Sequence, residues 1–120
     1  MKLYMTSRED YLKAIYLLSQ QKQKVRAVDV ATYLNYSKAS VSRAVALLSK
    51  ENYLFVEKHG LYLTEQGKRI AEQTYHKYLF FSKQLIKLGV TPSTAHADAC
   101  RLEHAISEES FEKLQRTLEK

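Results

Sequence analysis

From Ser37 to Lys50 the apolar residues Val41, Val45 and Leu48 recur at i, i+4 and i+7, one stripe of a helix. Ser37 stands where an N-cap hydroxyl accepts from an otherwise unpaired amide. The opposite side carries Ala39, Arg43, Ala46 and Lys50, flanked by serines, with no acid before Glu51. The same period predicts a helix from Thr6 to about Ser19, with Tyr11, Leu12, Ile15 and Leu18 inward and a capping box of Thr6 and Glu9. A second, from about Ala27 to Leu34, turns Val30, Ala31 and Leu34 inward after a polar connector and a short strand at Val25-Arg26. The period then shortens to that of strands at Tyr53 to Glu57 and Leu61 to Leu63, with Gly60 expected to free a tight hairpin turn.

Thr64 is predicted to cap a long helix from Glu65 to about Leu88. Ile70, Thr74, Tyr78, Phe81, Leu85 and Leu88 follow a coiled-coil-like seam, either a dimer interface or a bed for the final helices. Gly89 ends it. Pro92 opens a helix reaching about Ile106, and Ser107 caps a last one with Phe111, Leu114 and Leu118 inward. Helix, short turn, helix and hairpin is the layout of a winged helix. The predicted fold is mainly α: a winged helix-turn-helix with a small β-hairpin wing at residues 1–64, then a helical domain at 65–120 that shares the long helix 65–88.

With 3 Gly and 1 Pro among 120 residues, composition agrees with a mostly helical globular protein. No apolar run approaches a membrane span, and the first residues lack a signal-peptide core, so no membrane partner and a cytoplasmic location are expected. One cysteine, Cys100, excludes an internal disulfide and fits a reducing compartment. The net charge of +6 is unevenly placed: residues 1–70 hold 12 Lys/Arg against 6 Asp/Glu, and residues 71–120 hold 7 of each. The cationic half contains the Ser37–Lys50 helix, which points to a polyanion such as double-stranded DNA. Small side chains, hydroxyls and cations suit a helix entering a groove between phosphates. The candidate DNA-binding residues are Ser37, Lys38, Ala39, Ser40, Ser42, Arg43 and Lys50, with Lys58 at the wing tip. Taken singly, the wing-tip Lys58 and His59 are better read as loop polarity.

A second constellation lies at His96, Cys100, Glu103 and His104, spaced i, i+4, i+7 and i+8. At helical pitch these share about 100° of arc, apart from the apolar Ala95, Ala99, Leu102 and Ile106. Imidazole, thiolate and carboxylate on one face make a transition-metal half-site that needs a ligand from elsewhere. A solvated polar face is the other reading. No oxyanion device, phosphate loop or paired-carboxylate motif supports an enzyme.

These residues resemble the diphtheria-toxin-repressor/manganese-transport-repressor family of metal-dependent transcriptional regulators, in its two-domain form. Glu9-Asp10-Tyr11-Leu12-Lys13-Ala14-Ile15-Tyr16 resembles the family's first-helix signature. Leu63-Thr64-Glu65-Gln66-Gly67-Lys68 resembles its step from wing to long helix, and His96 to His104 its metal-binding segment. The resemblance implies a homodimeric repressor of palindromic operators, with Fe(II) or Mn(II) as corepressor, in which 1–64 is the DNA-binding domain and 65–120 the helical dimerisation and metal-binding domain. It also implies a metal site of Asp10, Cys100, Glu103 and His104. His96 corresponds to a ligand of a second site, whose other positions hold Tyr78 and Ser82; Lys13 replaces a glutamate. Thiolate at Cys100 favours Fe(II), Co(II) or Zn(II) over Mn(II). The alternatives are a metal-independent winged-helix regulator and a protein-interaction or metal-storage module.

Overall fold

The computed structural model describes residues 5–119 along the backbone and 7–119 with their side chains. Among the described residues six helices and one hairpin follow in order: α1 (Met5–Ser19), α2 (Ala27–Leu34), α3 (Lys38–Lys50), β1 (Leu54–Glu57), β2 (Gly60–Leu63), α4 (Glu65–Lys87), α5 (Pro92–Leu102) and α6 (Glu108–Leu118). Two compact units divide within α4, one ending at Glu72 and the next beginning at Gln73. No helix among the described residues is long and apolar enough to cross a membrane.

In the first unit, Tyr11, Leu12, Ile15 and Leu18 of α1 meet Val30 and Ala31 of α2 and Val41, Ala44 and Leu48 of α3. Leu54, Leu61 and Ala71 close this core. Leu12, Ile15 and Leu48 are fully buried, each worth about 1.5–3 kcal/mol of transfer free energy. The buried stripe of α3 is Val41, Ala44 and Leu48, with Val45 half-buried beside it. The capping role predicted for Thr6 falls on a side chain outside the described residues. Asn35 ends α2 in the left-handed conformation, at φ 58°. The strand predicted at Val25-Arg26 is absent. Val25 is buried and its carbonyl accepts from Leu61 N at 2.7 Å, but α2 begins at Ala27, before a ladder can extend.

The strands pair antiparallel, Leu54 with Leu63 and Glu57 with Gly60. The two-residue turn places Lys58 at φ 50° and His59 at φ 66°. The left-handed turn expected of Gly60 is therefore made by two non-glycine residues, the twist a two-residue hairpin loop requires. Gly60 instead belongs to β2, where an added Cβ would stand 2.8 Å from the Tyr62 hydroxyl. After the wing, Thr64 Oγ1 donates to the Asn52 carbonyl at 2.8 Å and accepts from Gly67 N at 3.1 Å, capping α4 as predicted.

Gly67 is required by that step. A Cβ there would lie 2.0 Å from the Tyr53 carbonyl oxygen, which already accepts from Thr64 N at 3.1 Å. Backbone cannot swing aside as a side chain can. Gly67→Ala is expected to cost about 2–3 kcal/mol through overpacking, read as a lower urea midpoint; an unchanged midpoint would refute the close approach.

In the second unit, Phe80 and Phe81 of α4 meet Phe111 of α6, with centroids 5.4 and 6.2 Å apart. Of the predicted seam along α4, Thr74 is buried, Ile70, Tyr78, Phe81 and Leu85 are half-buried and Leu88 is exposed; Lys77 and Phe80, outside that seam, are buried with Thr74. Leu114 and Leu118 of α6, predicted inward, are exposed too. Leu79, Ile86 and Leu102 add to the apolar surface this unit leaves uncovered. Gly89 ends the long helix at φ 99°.

Candidate nucleic-acid interface and metal centre

The α3 face opposite its buried stripe is open. Ser37, Lys38, Ala39, Ser42, Arg43, Ala46 and Lys50 are exposed, and Ser40 is half-buried. Ser37 adopts the extended N-cap conformation, accepting from Ser40 N at 3.0 Å and donating to Ser40 Oγ at 2.9 Å. Both hydroxyls therefore serve the start of the helix. Lys38, Arg43 and Lys50 supply the positive charge, and Ala39 and Ala46 let the backbone come close to whatever the face meets. Lys58 is exposed at the wing tip.

Tyr36, in the turn before α3, was not singled out in the sequence. It is exposed, and its ring meets that of buried Tyr11 edge-on at 5.6 Å. Burial foremost, with the Tyr36 phenol and Asp10 adding to it, pushes the Tyr11 hydroxyl above the usual tyrosine range; Arg43 opposes the shift. Charge on α3 is thus felt at α1. Asp10 itself is half-buried on α1. The sequence signal for Tyr36 was its place in a helix-helix turn of a cationic domain.

In the second unit, α5 ends at Leu102, short of the predicted Ile106. Glu103 is its C-cap, and His104 lies in the turn beyond. The four polar residues therefore do not share one solvated face. His96 and Cys100 are exposed on α5, a turn apart, whereas Glu103 is 1% exposed. Glu103 Oε1 lies 3.9 Å from Nε2 of His104, whose side chain is 9% exposed. Two donors each about 2.1 Å from one ion stand roughly 3–4.2 Å apart, so the pair suits a shared cation, and a carboxylate, imidazole and thiolate suit a transition metal. His96 Nδ1 lies 2.9 Å from the Tyr78 hydroxyl, with the rings stacked at 5.9 Å. Its remaining ring nitrogen is the one available to a metal.

Residues 4–60 match the family model of the iron dependent repressor N-terminal DNA binding domain. Residues 64–120 match that of the iron dependent repressor metal binding and dimerisation domain. Among solved structures, the manganese regulator SloR is 32% identical with a TM-score of 0.82. ScaR with bound Zn2+ is 30% identical at 0.78, and the metal-dependent transcriptional regulator MtsR 27% identical at 0.84. Each comparison covers 93% of this chain and 53% of the other, so the chain spans about half the length of these structures.

Proposed function

This chain belongs to the iron-dependent repressor family, and we propose that it is a metal-responsive transcriptional regulator. In this reading it represses from palindromic operators, as a cytoplasmic homodimer. The observation that carries the reading is the buried Glu103 carboxylate 3.9 Å from His104, in a chain whose α3 turns cations and small residues outward.

Asp10, Cys100, Glu103 and His104 would hold the metal, with His96 as a further candidate ligand. One divalent transition ion, Fe(II) or Mn(II) by family resemblance, supplies a positive charge that two carboxylates, a thiolate and an imidazole can share. Cys100 weights the choice toward Fe(II), Co(II) or Zn(II) over Mn(II). Asp10, once engaged, steadies α1, whose Leu12 and Ile15 share a core with Val41 and Leu48 of α3. The outer face of α3 is steadied with it. Two such faces in a homodimer meet half-sites one DNA turn apart, about 34–36 Å. Arg43 reads base edges, Lys38, Lys50, Lys58 and Tyr36 meet phosphates, and Ser37, Ala39, Ser40 and Ser42 permit close approach. The exposed leucines of the second unit are the apolar surface a second copy would cover.

Coupling is set by the difference in metal affinity between competent and incompetent geometries. Affinity for a duplex selected from random sequence is expected to rise roughly 5–150-fold with Fe(II), Co(II), Zn(II) or Mn(II) over chelator, measured by fluorescence anisotropy, anaerobically for iron. Equal affinity under every condition would overturn metal control and leave a metal-independent regulator of the same fold.

A further inference from the structure

Lysine is rarely buried unless paired, yet Lys77 sits in the buried line of α4 between Thr74 and Phe80. Its side chain is 10% exposed. Its Nζ donates to the Ile106 carbonyl oxygen at 3.2 Å and stands 3.3 Å from Glu108 Oε1. Ile106 belongs to the connector 103–107 between α5 and α6, and Glu108 is the first residue of α6. The connector's first amides are tied back to α5: Glu103 N to Ala99 O at 3.0 Å, His104 N to Arg101 O at 3.3 Å and Ala105 N to Leu102 O at 3.1 Å. At its other end Ser107 Oγ caps α6 by accepting from Ser110 N at 3.1 Å. Lys77 grips it between these two ends, two residues beyond His104.

Packing alone does not call for a lysine here. A methionine would fill similar space without the cost of desolvating an ammonium group. What the lysine adds is a charged donor aimed at one backbone carbonyl of the segment that carries Glu103 and His104. Binding constellations need their ligands held to within about 0.5 Å, and ligand-orienting partners outside the coordination sphere commonly provide this.

We infer that Lys77 is a positioning residue for the metal ligands Glu103 and His104, acting through the Ile106 carbonyl; this rests on the metal-binding reading above. Its ammonium group holds the connector in register with α4, so that carboxylate and imidazole are presented together before an ion arrives.

The test is anaerobic Co(II) titration of the full chain, read by visible absorption, for wild type and Lys77→Met, with folding checked by circular dichroism. Lys77→Met is expected to bind Co(II) about tenfold more weakly, the scale of a lost ligand-orienting partner, with altered ligand-field bands. Lys77→Arg, which keeps a charged donor, is expected to restore most of the affinity. Phe111→Leu should lower Tm while leaving Co(II) affinity and spectrum in place, which separates positioning from general stability. If Lys77→Met does not fold, Lys77→Leu, which also lacks a donor, faces the same two outcomes. Wild-type affinity and spectrum in the folded variant would overturn the role of Lys77 alone. A wild-type chain that binds no Co(II) would overturn the metal reading and this inference with it.

Discussion

A chain carrying Cys100→Ala and Glu103→Ala is expected to bind operator DNA with the same affinity in metal and in chelator. The two substitutions remove a thiolate and a buried carboxylate from the proposed donor set and leave Asp10 and His104. Removing partners that merely orient ligands already costs about 10–100-fold in metal affinity, so removing two ligands should exceed a hundredfold. The basal, metal-free affinity should persist, because Ser37 to Lys50 and the wing are untouched. Glu103 is buried, so its truncation also leaves a void. Glu103→Gln, close in shape but uncharged, keeps the packing and should lose the metal response while staying folded. Direct metal titration paired with anisotropy checks both halves of the expectation. A metal response retained in the folded double variant would place the site elsewhere.

Arg43→Ala with Lys50→Ala is expected to weaken operator binding at least a hundredfold, with or without metal. A base-reading arginine is worth about 1–3 kcal/mol per contact, and a homodimer would lose it at both half-sites. Each phosphate contact contributes about 0.9 to the slope of log affinity against log salt, so the slope should become shallower. Both side chains are exposed, and stability should move by no more than about 0.5 kcal/mol. Arg43→Ala alone should relax base preference, whereas Lys50→Ala alone should weaken all duplexes alike. Unchanged affinity and salt slope in the double variant would remove α3 from the interface.

Much of the fold was legible along the chain, where neighbours in sequence set the outcome. Ser37, Thr64 and Ser107 cap the helices that follow them, because a hydroxyl and the amide three residues on are always within reach. Val41 and Leu48 face the core because 3.6 residues make a turn. Misreadings arose where distant parts of the chain decide. Ala44 is buried in the α3 stripe where Val45 packs only half-buried against the core, and Leu114 and Leu118 stayed outside, because periodicity identifies an apolar face but not what covers it. Gly60 looked like the turn residue, yet strand register placed Lys58 and His59 there.

The candidate site divides in the same way. Its residue types and spacing pointed to transition-metal chemistry, and the cations of α3 to a polyanion; both depend only on which side chains the chain carries and in what order. That Glu103 is buried while Cys100 is exposed, that α5 stops at Leu102, and that Gly67 must lack a Cβ came only from tertiary structure. So did the burial of Lys77 against Ile106 and Glu108, some 30 residues away in sequence. Helical period and capping are local energies, written in a few consecutive residues. Burial and backbone contact depend on which remote segments arrive at the same place, and no short window of sequence contains that.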